Sequence, residues 1–250
     1  MERIEERIAD AQALFAELLQ GFLNNGGETT VDQYIRYLSF QYHLTRGVQR
    51  YFMSAAAHPD LARRRRLRTF LVNFASEEEL HYLVAASDLL QLGLKPLPAP
   101  FDVELWHAYF ERIVVDRPFV RLGAATILEN ISAGAARPWV KRALTGSFLT
   151  RENTKFLVLH QHETLPHGDQ IMEALATANL EERHLADLDE GASKGTVLYL
   201  RMAEWALQPI ALSRICDRDE DDIPAEEIER IRSFSMSELT EAAPDALEAG

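Results

Sequence analysis

The sequence predicts an all-α protein that folds as a single bundle of about seven or eight helices. Almost every long segment repeats its apolar residues at the three- to four-residue spacing of a helix. No stretch longer than four residues alternates apolar and polar side chains in the manner of a half-buried strand. No segment recurs with the period of roughly 20–50 residues that is typical of repeat proteins.

The first predicted helix follows an apolar stripe from Ile4 to Phe22 and ends at the asparagine and glycine residues of 24–27. Thr30 starts the second, because a hydroxyl residue followed three positions later by Gln33 forms a capping box. The second helix should continue to the proline-containing break at 58–60. Further helices are expected at 61–92 (closed by Gly93), 102–116, 118–136, 152–178 (kinked at Pro166), 180–189 and 196–207.

Charge is unevenly distributed along the 250 residues, whose formal net charge is −13. Residues 217–250 hold 12 acidic and 3 basic side chains, so this end carries most of the excess. We therefore expect a bundle domain at 1–212 and an acidic extension at 213–250, the latter as a short docked helix or a flexible tail. Arg63–Arg66 and Arg68 form the one basic cluster, which either is solvated or binds an acidic partner such as this tail.

Composition also excludes several classes of function. The acidic excess argues against a general binder of nucleic acid or anionic membranes. No apolar run approaches the roughly 20 residues that span a bilayer, and the N-terminus lacks the features of a signal peptide. Cys216 is the single cysteine, which excludes an internal disulfide and a cysteine-based zinc site. We expect a cytoplasmic protein.

Polar side chains interrupt the apolar stripes of three predicted helices. His160, Glu163, Thr164 and His167 fall within a sector of roughly 100° on the helix at 152–178. Glu77 and His81 continue the stripe of the helix at 61–92, with Glu78 at its margin and in Glu-x-x-His spacing with His81. Glu129 is surrounded by small and apolar residues on a third helix.

A shared cation explains these intrusions, because an unpaired buried carboxylate costs several kcal/mol. Oxygen and nitrogen donors without a thiolate suit iron, manganese or zinc. The alternative is a structural network in which the imidazoles and carboxylates bond only to one another.

The motifs resemble those of the haem-oxygenase-like di-iron oxidases and oxygenases, over roughly residues 30–210. His160, Thr164 and His167 are similar to the family's His-x3-Asp-x2-His signature. The segment 128–134 resembles its mid-bundle glutamate segment, and 77–93 resembles its acid-and-histidine helix with a closing Leu-Gly. The thiaminase II (TenA) family and the pyrroloquinoline-quinone synthesis oxidase share this fold.

The resemblance implies an iron-dependent oxidoreductase that uses dioxygen on a small organic substrate, with possible dimers. It implies metal ligands at His81, Glu129, His160 and His167. Phe74 and Thr164 replace two of the family's carboxylates; Glu77 or Glu78 could substitute for the first and Glu163 for the second. One iron, two irons or no metal therefore stay open, as does a metal-free oxidase or binding protein. Candidate substrate-pocket residues are Tyr37, Thr164 and Tyr199.

Overall fold

The computed structural model describes residues 1–24, 28–143, 145–159, 167–208 and 224–235, which form α-helices and short turns with no β-strand among them. Two single-turn 3-10 helices, at Pro59–Leu61 and Gly134–Ala136, join longer elements. The α-helices are α1 (Glu2–Asn24), α2 (Val31–Thr45), α3 (Gln49–Ala57), α4 (Arg65–Glu78), α5 (His81–Gln91), α6 (Phe101–Asp116), α7 (Pro118–Asn130), α8 (Arg137–Ala143), α9 (Lys155–Leu159), α10 (His167–Ala176), α11 (Glu182–Leu207) and α12 (Ala225–Ser233).

Helices α7 and α11 cross at the centre of the bundle and make its most extensive helix pair. Helices α1, α2 and α6 also pack on α11, while α3, α6 and α10 pack on α7. Two apolar clusters result. The larger lies around α7 and α11, and the smaller joins α2, α5, α9 and α12.

Glycine lets the backbones of α7 and α11 approach closely. A Cβ atom on Gly123 would overlap the carbonyl oxygen of Leu188, and a Cβ atom on Gly191 would overlap the carbonyl oxygen of Val120. Because backbone rather than a side chain occupies this space, no rotamer change could make room for a larger residue. The crossing therefore fixes the position of α7, which carries Glu129.

The all-α prediction is confirmed, as are several helix ends. Thr30 caps α2 through the expected capping box, in which the Gln33 N–H donates to Thr30 Oγ1 and the Thr30 N–H donates to Gln33 Oε1. Gly93 follows α5 with a φ of 73°, a left-handed conformation that suits a helix terminus.

Other boundaries differ from the prediction. The expected second helix is divided into α2 and α3, the helix at 61–92 is divided into α4 and α5, and the helix at 118–136 ends at Asn130. The region 152–178 contains α9 and α10, with 160–166 outside the described residues. Conversely, the helices predicted at 180–189 and 196–207 form one continuous α11, in which Gly191 and Gly195 pack against α7.

The C-terminal region contributes α12 to the bundle. Its side chains Ile228 and Ile231 are buried. The Tyr42 hydroxyl donates to Glu227 Oε1 over 3.1 Å, which anchors the helix to α2. The expected domain boundary at 212/213 and the acidic run at 217–222 fall outside the described residues. Within the described part, no helix combines the length and the apolar character that a membrane crossing requires.

Candidate metal centre

Four of the predicted ligands lie at or near helix ends. Glu78 is the last residue of α4 and His81 the first of α5, so their Glu-x-x-His spacing spans the break between these helices. Glu129 is the penultimate residue of α7, and His167 is the first of α10. The helix breaks that periodicity did not predict thus bring these side chains together.

Gly168 brings the start of α10 close to the end of α7. A Cβ atom at this position would overlap the side-chain amide of Asn130, the residue after Glu129. The Asn130 amide is itself held, since its Nδ2 donates to the carbonyl oxygen of Thr126 over 2.8 Å. A glycine after His167 is therefore what allows the imidazole to reach Glu129.

Glu78 lies between two imidazoles. Its Oε1 is 2.9 Å from His167 Nδ1, and its Oε2 is 2.9 Å from His81 Nδ1. The two imidazole rings are nearly parallel, with centroids 6.1 Å apart. Glu129 Oε2 approaches the same His167 Nδ1 to 3.6 Å. Donor atoms of Glu78, Glu129 and His167 all lie within 4.8 Å of one another, which places three potential ligands around one point.

The charges in this cluster depend on one another. Burial would raise the pKa of Glu78, but His81 and His167 hold it well below its ordinary value. Burial opposes protonation of His167, yet its contacts with Glu129 and Glu78 raise its pKa to about 11. Burial raises the pKa of Glu129, with the Glu78 charge acting in the same direction. The cluster thus needs positive charge, which either protons on the imidazoles or a cation can provide.

The donor set fits a divalent cation. Glu78 Oε1 is buried and accepts no aligned hydrogen bond from the described residues, although His167 Nδ1 is only 2.9 Å away. Ligand atoms about 2.1 Å from one metal ion lie about 3–3.5 Å from each other in octahedral or tetrahedral geometry. The observed separations of 2.9 and 3.6 Å match this spacing. Carboxylate and imidazole donors suit iron, manganese or zinc.

Glu77 and Phe74 surround the cluster in different ways. Glu77 Oε2 lies 3.6 Å from His167 Nε2, on the side of the ring away from Glu78, and its side chain is 33% exposed. This is where a carboxylate orients a metal-binding histidine. Phe74 packs edge-on against the His167 ring at 4.7 Å. Phe74 occupies the position at which the family that the motifs resemble has a carboxylate. In this chain Glu78, one helical turn later, places a carboxylate in the cluster. His160, Glu163 and Thr164 lie outside the described residues.

A cavity of about 90 Å³ with mainly apolar walls lies among residues of α1, α2, α8, α9 and α11, and the side chains of the cluster do not line it. Tyr37 and Tyr199 both line it, and Gln41 Nε2 donates to the Tyr199 hydroxyl over 3.4 Å. Ser132, in the turn that follows α7, lines it as well. A space of this size accommodates several water molecules or a small organic group. The two tyrosines that the sequence analysis placed in a substrate pocket thus share one cavity.

Asp88 is a buried carboxylate that sequence reasoning left without a role. Its Oδ2 accepts a hydrogen bond from the Phe156 N–H over 2.8 Å, which holds α9 against α5. Leu157, the next residue of α9, lines the cavity. Burial raises the pKa of Asp88 to about 6.

We expect Asp88→Asn to stabilise the protein increasingly as the pH rises. Because the folded-state pKa of Asp88 is raised, its favourable contribution is complete below the unfolded pKa and is lost as the pH passes through about 6. The asparagine keeps an acceptor for Phe156 without ionising. Urea unfolding of both proteins should show the stability difference growing by about 1–2 kcal/mol between roughly pH 5 and pH 8. A difference independent of pH would contradict this assignment.

A comparison with solved structures identifies the fold. The chain resembles a domain of unknown function with a heme oxygenase-like fold from Shewanella denitrificans OS217, with a TM-score of 0.71 and 21% sequence identity. The match covers 89% of this chain and 98% of the other. No protein-family model matches the sequence, and no curated protein does so. The protein thus has a haem-oxygenase-like fold with a buried Glu-Glu-His group that could hold a metal ion.

Proposed function

We propose that the protein is an iron-dependent oxidase or oxygenase that acts on a small, largely apolar organic substrate with dioxygen. The convergence of Glu78, Glu129 and His167 in a haem-oxygenase-like bundle carries this proposal. Bound iron would supply redox chemistry with dioxygen that amino-acid side chains lack. Manganese or zinc would suit the same donors.

Each residue near the centre has a distinct role in this proposal. Glu78, Glu129 and His167 would hold one ion. His81, which faces the second oxygen of Glu78, would complete this site or help to hold a second ion. Glu77 would orient His167 through its Nε2. His160 is a further proposed ligand on the strength of the family resemblance. Glu163 is proposed as a substitute for the family carboxylate that Thr164 replaces.

The cavity supports an apolar substrate. Its walls expose far more carbon than nitrogen or oxygen, and Leu157 and Phe15 are among the residues that line them. Tyr37 and Tyr199 would orient the few polar groups of the substrate, with Gln41 holding the Tyr199 hydroxyl in place. We further propose a cytoplasmic location, in line with the composition of the chain, and a homodimer, in line with the family resemblance.

Anaerobic titration with iron(II) tests the metal site. We expect one or two ions to bind per chain with an affinity in the micromolar range or tighter, because donor atoms of Glu78, Glu129 and His167 converge and His81 contacts Glu78. Exposure of the loaded protein to air should then consume dioxygen. Equilibrium dialysis that detects no bound iron(II), manganese(II) or zinc(II) would overturn the proposal.

A metal-free function is the second candidate, and the electrostatics of the cluster favour it. The imidazoles of His81 and His167 already lower the pKa of Glu78, so protons alone can balance its buried charge. Such a protein would use the histidines to donate hydrogen bonds or transfer protons to a bound molecule. Metal content below about 0.1 ion per chain after reconstitution, together with ligand binding in the cavity, would favour this candidate.

A further inference from the structure

A second pocket, far from the metal centre, lies where α4 begins. It has a volume of about 380 Å³, and its lining includes the four consecutive residues Arg63–Arg66. Thr177, Ala178 and Asn179, in the connection between α10 and α11, form the opposite wall. Because α4 rises by about 1.5 Å per residue, Arg65 is about 20 Å along the helix from Glu78. The pocket is therefore separate from the metal centre and its cavity.

Arg64 forms part of the pocket wall, and its guanidinium group is already bonded to protein atoms rather than free to bind a ligand. Its side chain is only 12% exposed and forms an ion pair with Glu181. Its Nε donates to the carbonyl oxygen of Ala178 over 3.1 Å, and its Nη2 donates to that of Asn179 over 3.4 Å. These bonds fix the two walls relative to each other. They also occupy two carbonyl oxygens that would otherwise repel an anion.

The other three arginines, Arg63, Arg65 and Arg66, are exposed and have no ion-pair partner among the described residues. The nearby acids are engaged elsewhere, since Glu181 pairs with Arg64 and Arg183, and Asp60 pairs with Arg183. Three guanidinium groups without an acidic partner in the described ranges are unusual in a chain whose net charge is −13. The first turn of α4 has no side-chain cap, so its N–H groups add to the positive potential.

We propose that this pocket binds a small molecule that carries a diphosphate or several phosphate groups. Guanidinium groups bind phosphate oxygens in pairs, and three of them on one rim can engage more than one phosphate group. The four consecutive arginines occupy a short, concave patch, which suits a compact ligand better than an extended acidic peptide. The ligand would bind without contacting Glu78, Glu129 or His167, so the site is independent of the proposed oxidase function.

Calorimetric titration of the full-length protein with inorganic pyrophosphate tests the proposal. We expect one ion to bind per chain, with an affinity that decreases as salt is added. The double variant Arg65→Ala/Arg66→Ala should bind at least tenfold more weakly. Both side chains are exposed, so circular dichroism and the thermal midpoint should change little.

Arg151→Ala is a control for the loss of one positive charge at an exposed arginine outside the pocket. Arg151 is exposed in the segment before α9 and does not line the pocket, so this variant should bind pyrophosphate as the unaltered protein does. No binding by the unaltered protein, or equal weakening in both variants, would overturn the proposal. Tighter binding of a peptide that copies the acidic segment 217–222 than of pyrophosphate would also overturn it, because the pocket would then be a site for an acidic chain.

Discussion

Glu78→Gln is expected to weaken iron(II) binding at least about a hundredfold, which corresponds to about 3 kcal/mol. Glu78 is the carboxylate that contacts both His81 and His167 while sharing a potential metal position with Glu129. Glutamine keeps the length of the side chain, but it removes the negative charge and one oxygen donor. The loss should be visible in anaerobic titrations at a fixed pH.

Glu79→Gln provides a control with the same change of charge one residue away. Glu79 is exposed at the break between α4 and α5 and does not belong to the donor group. It should leave the iron affinity unchanged. If Glu78→Gln binds iron(II) as tightly as the unaltered protein while remaining folded by circular dichroism, the assignment of Glu78 as a ligand is wrong.

Gly191→Ala should destabilise the protein by about 3–5 kcal/mol, the largest effect we expect from a single methyl group. The added Cβ atom would overlap the backbone carbonyl oxygen of Val120, so α7 and α11 would have to separate along their crossing. Separation opens space in a close-packed core, and the lost contacts extend over many residues. Urea unfolding measures the loss directly.

Gly21→Ala is the control for Gly191→Ala. It makes the same substitution within a helix, but at a position where no neighbouring helix backbone is in contact, so it measures the effect of helix propensity alone. Gly21 lies in α1, and a Cβ atom there would have no heavy atom within 4 Å among the described residues outside the backbone of its own helix. Alanine favours the helix, so this variant should gain about 0.5–1 kcal/mol. Equal stabilisation by Gly191→Ala would mean that α7 and α11 are farther apart than the structure places them.

Helical periodicity was sufficient to predict the fold class and several helix ends. The capping box at Thr30 and the terminal Gly93 are local signals, because the residues that decide them lie within one turn of each other. That Gly191 and Gly195 lie within a continuous helix could not be predicted in this way. Glycine in isolation suggests a break, and only the neighbouring α7 explains why these glycines continue a helix.

The candidate site was predicted in composition but not in arrangement. Glu129, His81 and His167 became candidates because carboxylates and imidazoles interrupt apolar stripes, and Glu78 became one through its Glu-x-x-His spacing with His81. The sequence left Glu77 and Glu78 as alternatives for the carboxylate that Phe74 replaces. The helix break after Glu78, which turns its carboxylate toward the cluster, has no local sequence signal. Asp88 and the pocket at Arg63–Arg66 depend on contacts between distant segments, which periodicity does not contain.

The glycine-lined crossing of α7 and α11 has a consequence for any redesign of the donor group. Glu129 belongs to a helix whose backbone abuts another backbone, so its position can hardly be adjusted by repacking. Glu78 and His167 stand instead at the ends of α4 and α10, where neighbouring side chains such as Phe74 can be exchanged. Attempts to alter metal preference should therefore leave α7 intact and vary these two termini.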